Sequence, residues 1–415
     1  MKNIKFKIYT LGCKVNQYDS RLLQALLEQT GFKSVDKNSD LVVINTCNVT
    51  QGAARKSKRM ISKALKENPG AKLVIMGCVV EVKRPEIEKL GADLVWGTGK
   101  TEDLAREILK LFNLGRKKTF TLSIVSEDRA RYFLKVQDGC EQFCSYCIIP
   151  YTRGKLKSRS SRDIIKEVKQ AVAAGFSEII LSGIHLGLYG AEKEGKYDLA
   201  DLLEEIIRIK GLGRVRLSSI EVTEIPGKLI KLLKESEKIC NHLHISLQSG
   251  SDKILSLMNR PYDTKYFKEK IKEIRKEIPE IAISTDVIVG FPGETKADFK
   301  TTYNFIKKME FSRLHVFPFS AHPGTPAFNL SGKVLPKEKK RRADVLRNLG
   351  KDLESQYRNK FKGKELEVII ENQKNGKITG KTEYFFEIKF RQKDIIDVTC
   401  SQKNRLIGKL VKVKF

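Results

Sequence analysis

Three cysteines in one short stretch, Cys140, Cys144 and Cys147, constrain the fold of this 415-residue chain more than any other feature. Thiols this close along the chain cannot pair off among themselves as disulfides, and their odd number favours a metal site. A zinc ion would need a fourth Cys or His, and the closest histidine, His185, is far along the chain. Three soft thiolates without a fourth ligand suit a 4Fe–4S cluster with one iron left open.

The pattern around these cysteines predicts a partial (β/α)6 barrel. Strand-like runs alternate with amphipathic helical stretches in six βα units over residues 131–356, fewer than the eight units of a full barrel. The cysteines follow the first of these strands, at its carboxyl end, which is where active sites of such barrels lie. The predicted strands are Tyr132–Gln137, Glu178–Leu181, Val215–Ser219, His242–Leu247, Ile283–Val289 and Leu314–Phe317.

Residues 1–115 predict a separate domain, a small parallel sheet with helices on both faces. The three cysteines Cys13, Cys47 and Cys78 each follow one of its first three predicted strands. The carboxyl ends of parallel strands lie side by side, so we expect these thiols to meet there and to hold a second cluster. The alternative, three unrelated buried thiols, leaves their common position unexplained. The three strands are Ile4–Thr10, Leu41–Asn45 and Leu73–Met76, and a helix is predicted near Pro85–Leu90.

The chain from 358 to 415 changes to a β pattern. Asn375-Gly376 is a strong hairpin signal, and the segment predicts a small β-barrel. A linker is expected to begin at 115–118, between the first two domains. The fold class is therefore α/β, with an N-terminal βα sheet, a central partial barrel and a small C-terminal β-barrel. The tail strands are predicted at Leu366–Glu371, Lys377–Thr379, Tyr384–Phe390 and Leu410–Phe415.

The charge of the chain indicates a polyanionic partner. Lys and Arg number 79 against 50 Asp and Glu, a formal net charge of +29, which favours RNA or DNA over a membrane surface. No uncharged apolar stretch is long enough to span a bilayer, and the N-terminus lacks the features of a signal peptide. We therefore expect no membrane association and a cytoplasmic location, where eight cysteines do not form a disulfide scaffold.

Two sets of motifs resemble known families. The cysteines at 140, 144 and 147, with Tyr146 before the last, resemble the radical S-adenosylmethionine (SAM) signature. The sequences at 11–17 (LGCKVNQ), 45–50 (NTCNVT), 77–78 (GC) and 149–154 (IPYTRG) are similar to the methylthiotransferase family, and the tail resembles a TRAM domain, which binds RNA. The residues after Cys13 and Cys47 resemble the branch that acts on threonylcarbamoyladenosine (t6A) in tRNA.

The resemblance implies an enzyme that converts t6A, 3′ of the anticodon, to its 2-methylthio derivative. The cofactors implied are two 4Fe–4S clusters and S-adenosylmethionine. The barrel cluster would cleave S-adenosylmethionine to make the radical that abstracts the C2 hydrogen, and the N-terminal cluster would present the sulfur. The partners implied are a tRNA anticodon stem-loop and an electron donor such as flavodoxin or ferredoxin.

Further site residues are expected at the strand ends of the barrel and beside the cysteines. Five basic residues without an intervening acid follow the cysteines, and they are candidates for RNA contact, although such runs are commonly solvated surface. Arg153 or Arg159 could instead meet the threonyl carboxylate. The RNA candidates are Arg153, Lys155, Lys157, Arg159 and Arg162. The candidates for SAM binding are Tyr146, Ser182, Gly183, Ser246, Gln248, Asp286, Ile288, Gly290 and Phe319.

Three alternatives stay open at this point. The substrate could be isopentenyladenosine in tRNA, or a ribosomal protein side chain, with the same chemistry. A third hypothesis is an RNA-binding iron–sulfur sensor without enzymatic activity. A βα barrel around a three-cysteine site argues against it, because such barrels hold active sites at their strand ends. Release of 5′-deoxyadenosine from S-adenosylmethionine would separate the enzymes from the sensor.

Overall fold

The structure is a computed structural model of the whole chain. It describes residues 4–114, 120, 124, 130–193, 197–400 and 406–415. The predicted linker start at 115–118 lies outside these described residues. Of Cys400 only the backbone is described.

The N-terminal domain is a parallel five-stranded sheet in the order β2-β1-β3-β4-β5. Its central strand is apolar and fully buried because helices cover both faces. A side-chain cap starts the second helix, since the Thr50 hydroxyl accepts a hydrogen bond from the Ala53 amide at 3.1 Å. The elements are β1 (Lys5–Thr10), α1 (Lys14–Glu28), β2 (Lys33–Ser34), β3 (Leu41–Thr46), α2 (Gln51–Glu67), β4 (Lys72–Gly77), α3 (Cys78–Glu88), β5 (Leu94–Trp96) and α4 (Thr101–Leu111).

The second unit is the predicted partial barrel. The barrel consists of two parallel sheets, β10-β9-β6 and β11-β12-β13-β14. The sheets are continuous through one extended stretch of chain, because only Ser218 separates β10 from β11. Six parallel strand positions result, which confirms the predicted fold. The elements are β6 (Arg131–Lys135), β7 (Gln137–Asp138), α5 (Ile149–Arg153), β8 (Lys157–Ser158), α6 (Ser161–Ala173), β9 (Glu178–Ser182), α7 (Leu199–Ile207), β10 (Arg214–Leu217), β11 (Ser219–Ile220), α8 (Gly227–Glu235), β12 (His242–Ile245), α9 (Asp252–Leu257), α10 (Thr264–Glu277), β13 (Ala282–Val289), α11 (Lys296–Met309), β14 (Arg313–Pro318) and α12 (Pro336–Asn359).

Helix α1 of the N-terminal domain packs against β6, the first strand of the barrel. Tyr18 of α1 is buried in the barrel core, and its hydroxyl donates to Glu167 at 3.0 Å. Tyr132 of β6 donates to the same carboxylate at 2.7 Å. One buried acid therefore ties both units together, which fixes the carboxyl edge of the first sheet relative to the mouth of the barrel.

The C-terminal domain is a five-stranded antiparallel sheet in the order β17-β16-β15-β19-β18, consistent with the predicted small β-barrel. The hairpin at Asn375-Gly376 is confirmed, since both residues have positive φ and Lys374 pairs with Lys377. The strand expected at Tyr384–Phe390 begins only at Glu387, because Phe385 turns the chain with φ +72°. The strands are β15 (Glu365–Lys374), β16 (Lys377–Thr382), β17 (Glu387–Arg391), β18 (Ile395–Cys400) and β19 (Leu410–Lys414).

Buried charges dock this domain on the barrel. Arg214 and Arg216 of β10 both bind the fully buried Glu178 carboxylate, at 2.6 and 3.0 Å. Their remaining guanidinium nitrogens donate to backbone carbonyls at 381–383 of the C-terminal domain, at 2.8–2.9 Å. Phe385 stacks on His242 at the start of β12, with ring centroids 4.6 Å apart. The barrel end opposite the cysteines is thus closed by the C-terminal domain.

Candidate active site

The structure brings Cys13, Cys47 and Cys78 together at one edge of the N-terminal sheet. Cys13 precedes α1, Cys47 directly follows β3 and Cys78 is the first residue of α3, after three neighbouring parallel strands. The backbone before Cys13 approaches Cys47 closely: a Cβ on Gly12 would lie 2.9 Å from the Cys47 Cβ. Gly12 has φ +107°, so this approach requires glycine.

Burial, with contributions from the neighbouring Cys78 and Cys13, raises the pKa of Cys47 to about 11, which places the three thiols close together. Burial also raises the pKa of Cys78, against the opposing effect of Arg153. Protonated, buried thiols become ligands when a cationic metal compensates the cost of the thiolate charge.

The second set lies at the barrel mouth, after β6 and β7. The loop is held by backbone hydrogen bonds from the Cys140 amide to the Gly154 carbonyl at 3.0 Å and from the Cys147 amide to the Cys144 carbonyl at 2.9 Å. Burial raises the pKa of Cys144, and it raises the pKa of Cys147 to about 12. Cys140 contributes to the raised pKa of both Cys144 and Cys147, and Cys144 to that of Cys147, so the three thiols share one site.

Neither set has the shape of a single-zinc site. Tetrahedral zinc with Zn–S bonds of about 2.3 Å draws its ligand atoms to roughly 4 Å from one another. Among the described residues, the only three Cys, His, Asp or Glu with ligand atoms all within 4.8 Å are His244, Asp286 and His315. A cluster binds each thiolate to a different iron and so accepts wider sulfur spacing, which fits both cysteine sets.

Arg153, in the segment after the barrel cysteines, connects the two sets. It donates to Asn16 Oδ1 at 2.6 Å and to Asp138 Oδ2 at 2.9 Å, and its positive charge lowers the pKa of Cys78 against the effect of burial. Its side chain is 2% exposed and its guanidinium also faces Asp19 at 3.5 Å. The side chain of Arg153, a candidate for contact with RNA or the threonyl carboxylate, is therefore buried, with both Nη groups bonded inside the protein.

Arg159 is also bonded inside the protein. Its Nη2 binds Glu167 at 2.6 Å, and its Nη1 donates to the Tyr18 hydroxyl at 2.9 Å and the Lys135 carbonyl at 2.7 Å. A guanidinium with these partners holds the barrel against α1 and has few donors left for a phosphate or carboxylate. The other three basic candidates, Lys155, Lys157 and Arg162, are exposed to solvent.

The predicted SAM-binding residues gather around the strand ends. Ser182 ends β9, and within the described chain its buried Oγ has no hydrogen-bond partner. Gly183 packs on Gln137, whose Oε1 would lie 2.8 Å from a Cβ at that position. Gln137 also accepts from the His185 amide at 2.7 Å, so it joins the cysteine segment to the end of β9. The unpartnered Ser182 hydroxyl leaves a polar atom for a bound cofactor.

The ends of β12 and β13 are joined by Gln248. Its backbone amide donates to the Asp286 carbonyl and its carbonyl accepts from the Ile288 amide, both at 2.9 Å. The Ser246 carbonyl accepts from the Tyr262 hydroxyl at 2.7 Å. These bonds fix the backbone of the predicted site residues.

An apolar cluster lies beside the cysteines. Phe319 packs edge-on against Phe291 at 5.1 Å, and Tyr146 and Ile288 pack against the same cluster. Gly290 turns the chain after β13 with φ +72°, and its amide donates to Glu294 at 2.5 Å. Tyr146 from the cysteine segment thus meets the ends of β13 and β14, as expected for one shared pocket.

Asp286 has partners that the sequence did not predict. Its two oxygens face His244 Nε2 at 3.1 Å and His315 Nδ1 at 3.3 Å, and the two imidazoles stack 5.1 Å apart. These imidazoles hold the pKa of the buried Asp286 carboxyl well below its usual range, although burial alone would raise it. Asp286, one of the candidates for SAM binding, thus has both carboxylate oxygens beside imidazole nitrogens.

Two partners of the barrel cysteines were also missed. Arg260 Nη1 lies 3.1 Å from Cys144 Sγ, and its Nη2 pairs with Glu221. His185 Nδ1 lies 3.5 Å from Cys140 Sγ. Burial alone would lower the pKa of His185, but hydrogen bonds to Cys140 and Glu224 raise it to about 10. Arg260 lies more than a hundred residues from the cysteines, so no local spacing could have indicated it.

Known protein families match both cysteine-bearing units. A family model described as the radical SAM superfamily matches residues 134–306, and one described as "Uncharacterized protein family UPF0004" matches residues 5–97. A protein of Bacillus subtilis named threonylcarbamoyladenosine tRNA methylthiotransferase MtaB is 38% identical over 98% of this chain and 92% of its own length. The chain belongs to the radical SAM methylthiotransferase family.

Other methylthiotransferases match over similar lengths. A Thermotoga maritima protein with the same MtaB name is 38% identical, covering 94% of this chain and 92% of its own. A Carboxydothermus hydrogenoformans protein named tRNA-2-methylthio-N(6)-dimethylallyladenosine synthase is 32% identical, covering 100% of this chain and 97% of its own. As a radical SAM enzyme, a member of the methylthiotransferase family uses a 4Fe–4S cluster and S-adenosylmethionine.

Solved structures of radical SAM enzymes share the fold of this methylthiotransferase family member. The methyltransferase TsrM from Kitasatospora setae, solved with cobalamin and a [4Fe-4S] cluster bound, gives a TM-score of 0.59 at 14% identity, covering 79% of this chain and 77% of that chain. The cobalamin-dependent enzyme OxsB gives 0.53 at 10% identity, covering 86% and 56%. No helix in the described part of the chain is long and apolar enough to cross a membrane.

Proposed function

We propose that this enzyme converts N6-threonylcarbamoyladenosine, 3′ of the tRNA anticodon, into its 2-methylthio derivative. The observation that carries the proposal is the contact of Arg153, which follows the barrel cysteines, with Asn16, which follows Cys13 of the other set, at 2.6 Å. The charge of Arg153 also lowers the pKa of Cys78. An enzyme that must both activate a C–H bond and deliver sulfur to the same carbon needs two such sites side by side.

The names of the relatives support the substrate. Three relatives named MtaB, from Bacillus subtilis, Thermotoga maritima and Aquifex aeolicus, are 38–39% identical to this chain. Relatives named for dimethylallyladenosine are 32–35% identical. The difference favours t6A, and the polar barrel interior around Asp286 also suits a polar substituent better than an apolar one.

The proposed cofactors divide between the two sets. Cys140, Cys144 and Cys147 hold one 4Fe–4S cluster, beside which S-adenosylmethionine binds, and Cys13, Cys47 and Cys78 hold a second. When bound, these groups supply one-electron cleavage of S-adenosylmethionine and a transferable sulfur. The Ser182 hydroxyl is an available hydrogen-bond donor or acceptor for S-adenosylmethionine.

The chain's own residues position these groups and control their surroundings. Arg153 and Asn16 hold the N-terminal set against the barrel, since Arg153 reaches both Cys78 and Asn16. Arg260 places a positive charge 3.1 Å from Cys144 Sγ. The apolar cluster of Phe291, Phe319 and Ile288 excludes water beside the barrel cysteines.

We further propose three domains, 1–115, 131–356 and 358–415, of which the last acts as a TRAM-like RNA-binding domain. It carries 15 Lys and Arg against 7 Asp and Glu. Lys155, Lys157 and Arg162 add exposed positive charge near the barrel mouth. Flavodoxin or ferredoxin would supply the electron, and a soluble tRNA substrate implies a cytoplasmic site of action.

The test is mass spectrometry of nucleosides after incubation with two synthetic anticodon arms, one carrying t6A and one carrying isopentenyladenosine. Reconstituted, reduced enzyme should add a methylthio group to the t6A arm at a higher kcat/KM. The same protein with Cys140, Cys144 and Cys147 replaced by Ala serves as the inactive control. Modification of the isopentenyladenosine arm alone would assign the enzyme to the second candidate substrate, which the dimethylallyladenosine names among its relatives support.

A further inference from the structure

Two histidines and one aspartate meet on three neighbouring strands of the barrel. His244 of β12, Asp286 of β13 and His315 of β14 each offer one ligand atom, and these atoms all lie within 4.8 Å of one another. Asp286 and His315 are direct partners in the strand register. His244 pairs with Ser284, two residues before Asp286 and therefore on the same face of β13. A rigid parallel sheet thus holds the three side chains together.

The distances between these ligand atoms match those of a zinc site. His244 Nε2 lies 3.1 Å from Asp286 Oδ2, and His315 Nδ1 lies 3.3 Å from Asp286 Oδ1. Zinc bonds of about 2.0–2.2 Å to nitrogen and oxygen, at tetrahedral angles, place neighbouring ligand atoms about 3.3–3.5 Å apart. Two imidazoles and a carboxylate are also a donor set that divalent zinc and iron accept.

The charge of Asp286 is not balanced by a Lys or Arg ion pair within the described residues. Its ion-pair partners there are the two imidazoles, which carry a positive charge only when protonated. The Asp286 side chain is 24% exposed, and a carboxylate largely removed from water needs hydrogen bonds or a compensating positive charge. A divalent cation between the three side chains would supply that charge.

The ring of His244 is also held as metal-binding histidines usually are. Its second nitrogen, Nδ1, lies 2.8 Å from the Ser284 hydroxyl, and such a contact fixes the orientation and tautomer of a ligating imidazole. Ser284 Oγ is in turn 2.8 Å from His242 Nε2, and the His242 ring stacks on Phe385 of the C-terminal domain. The side chains that support His244 are therefore fixed in place, and Phe385 closes this end of the barrel.

The site is open toward the barrel interior. Leu314 of β14 packs against Gly350 of the outer helix α12, so the next residue, His315, faces inward. The His315 and Asp286 side chains are 35% and 24% exposed, whereas His244 is only 9% exposed. Phe317, two residues beyond His315 on the same face, is 46% exposed. A cation therefore has a path to the ligand atoms from the barrel mouth.

We propose that His244, Asp286 and His315 form a binding site for a divalent transition-metal cation, for which zinc is the probe. The cation would be bound in addition to the iron of the two cysteine sets, since this site offers nitrogen and oxygen donors and no sulfur. It would join β12, β13 and β14 across the barrel interior. Three protein ligands would leave a coordination position for a water molecule or a substrate oxygen. The proposal does not depend on which adenosine is modified.

The test measures zinc in cluster-loaded, full-length protein after equilibration with zinc chloride and gel filtration. Wild type should retain about one zinc per chain in addition to its iron. X-ray absorption at the zinc K-edge should show nitrogen and oxygen neighbours at about 2.0–2.2 Å and no sulfur at about 2.3 Å. That spectrum separates this site from both cysteine sets without the need for a variant.

Substitutions then assign the zinc to these residues, with affinity measured by competition against a chelating dye. Ser284→Ala should weaken zinc binding by about tenfold to a hundredfold, as expected for loss of a residue that holds a ligand. Asp286→Asn, which keeps the shape of the side chain, and His315→Ala should weaken it further. Asp344→Asn, at an exposed position of α12, is the matched control and should bind zinc as wild type does. Iron content should be the same in all four variants.

Three outcomes would overturn the proposal. Wild type that retains no zinc would show that hydrogen bonds alone hold the imidazoles beside Asp286. Zinc with sulfur neighbours would show binding by cysteines instead. Wild-type affinity in both Asp286→Asn and His315→Ala would place the zinc elsewhere in the protein. None of these results bears on the assay with the two anticodon arms, so the proposed function is tested separately.

Discussion

At the scale of single residues, Arg153 has the clearest structural role. Its sequence position beside the barrel cysteines suggested a surface contact with RNA, yet its partners Asp19 and Asn16 are 134 and 137 residues earlier in the chain. No local pattern could reveal such a pairing, because it arises only when α1 packs on the barrel. The type of residue was predictable; its environment was not.

Loss of the Arg153 charge should destabilise the protein markedly. Arg153→Met leaves Lys135 as the one remaining cation beside Asp19 and Asp138 among the described residues, and it removes charged hydrogen bonds to both acids, so it should cost about 1–3 kcal/mol. Arg162→Met, at an exposed position, should change stability by less than about 0.5 kcal/mol. Differential scanning fluorimetry of both variants checks this, and equal melting temperatures would contradict the buried role.

At the scale of elements, the sequence predicted where the strands end but not how the next elements begin. Cys13, Cys47 and Cys78 were placed correctly at strand ends, because buried apolar runs mark parallel strands clearly. The helix expected near Pro85–Leu90 is present, because α3 is two helical segments joined at a kink at the non-helical Lys83, and the second segment has Pro85 in its first turn. The first segment, which begins at Cys78, was not predicted.

The strand Ile395–Cys400 was missed because it lies at the sheet edge. Its apolar side chains Ile396 and Val398 are exposed, so burial leaves little alternating pattern to recognise. The start of β17 was also misplaced, because the partly buried Phe385 stacks on His242 in a turn that precedes the strand. Contacts between residues distant in the sequence determine the β18 strand and the start of β17, so neither could be predicted from the local sequence.

Iron content tests the two cysteine-bearing elements directly. Reconstituted wild type should hold about eight irons if each set holds a 4Fe–4S cluster. Replacing either set of three cysteines with Ala should halve this value, and Cys240→Ala, a buried cysteine away from both sets, should leave it unchanged. Full iron after loss of Cys13, Cys47 and Cys78 would rule out the second cluster.

The two triple variants should also differ in activity. Cleavage of S-adenosylmethionine should persist without the N-terminal set and disappear without the barrel set. Measured 5′-deoxyadenosine release separates the two, and an equal loss in both would contradict the proposed division of labour.

At the scale of the whole molecule, the C-terminal domain is part of the barrel's closure. Phe361 and Tyr357 of its core meet Ala282 of β13, and Arg214 and Arg216 donate to its backbone. Removing the domain would expose this surface and leave those donors unpaired. Its role in RNA binding is therefore better tested with charge substitutions than with truncation.

The ion pairs of Glu178 with Arg214 and Arg216 should make the docking of the C-terminal domain on the barrel sensitive to acid. Burial alone would raise the pKa of Glu178, but Arg214 and Arg216 outweigh it and lower the pKa from 4.5 to about 2. Ionised Glu178 therefore contributes about 3 kcal/mol to the free energy of unfolding. This contribution is complete above about pH 4.5 and is lost as the pH falls toward 2. Glu178→Gln should lower the melting temperature at pH 7, with a difference that narrows at acid pH.

Hydrogen exchange locates the effect of that substitution. Amides of β15 and β16 should exchange faster in Glu178→Gln, since the arginines that hold this domain lose their shared acid. Glu235→Gln, which removes an exposed carboxylate, is the control. Unchanged protection in β15 would show that the domain docks without Glu178.

Exposed charges on the C-terminal domain should set the salt dependence of tRNA binding. Lys377 and Arg391 are direct cross-strand neighbours, and Lys389 lies on the adjacent register of the same sheet. Replacing all three with Gln should weaken binding and reduce the slope of log K against log salt by about two to three. The matched control replaces Lys265, Lys268 and Lys272 of α10, and an equal effect there would indicate general attraction only.

The contacts of Arg153 with Asn16 and Asp19 also form late during synthesis, because these partners lie more than a hundred residues earlier in the chain. The N-terminal sheet leaves the ribosome with Asn16 and Asp19 still lacking their guanidinium, which is translated 134 residues after Asp19. At about 5–20 residues per second that delay is roughly 7–27 seconds. Cys78 is translated 75 residues before Arg153, so for roughly 4–15 seconds it has no arginine beside it. All three N-terminal thiols are thus made before the barrel residue that links them to the second cysteine set.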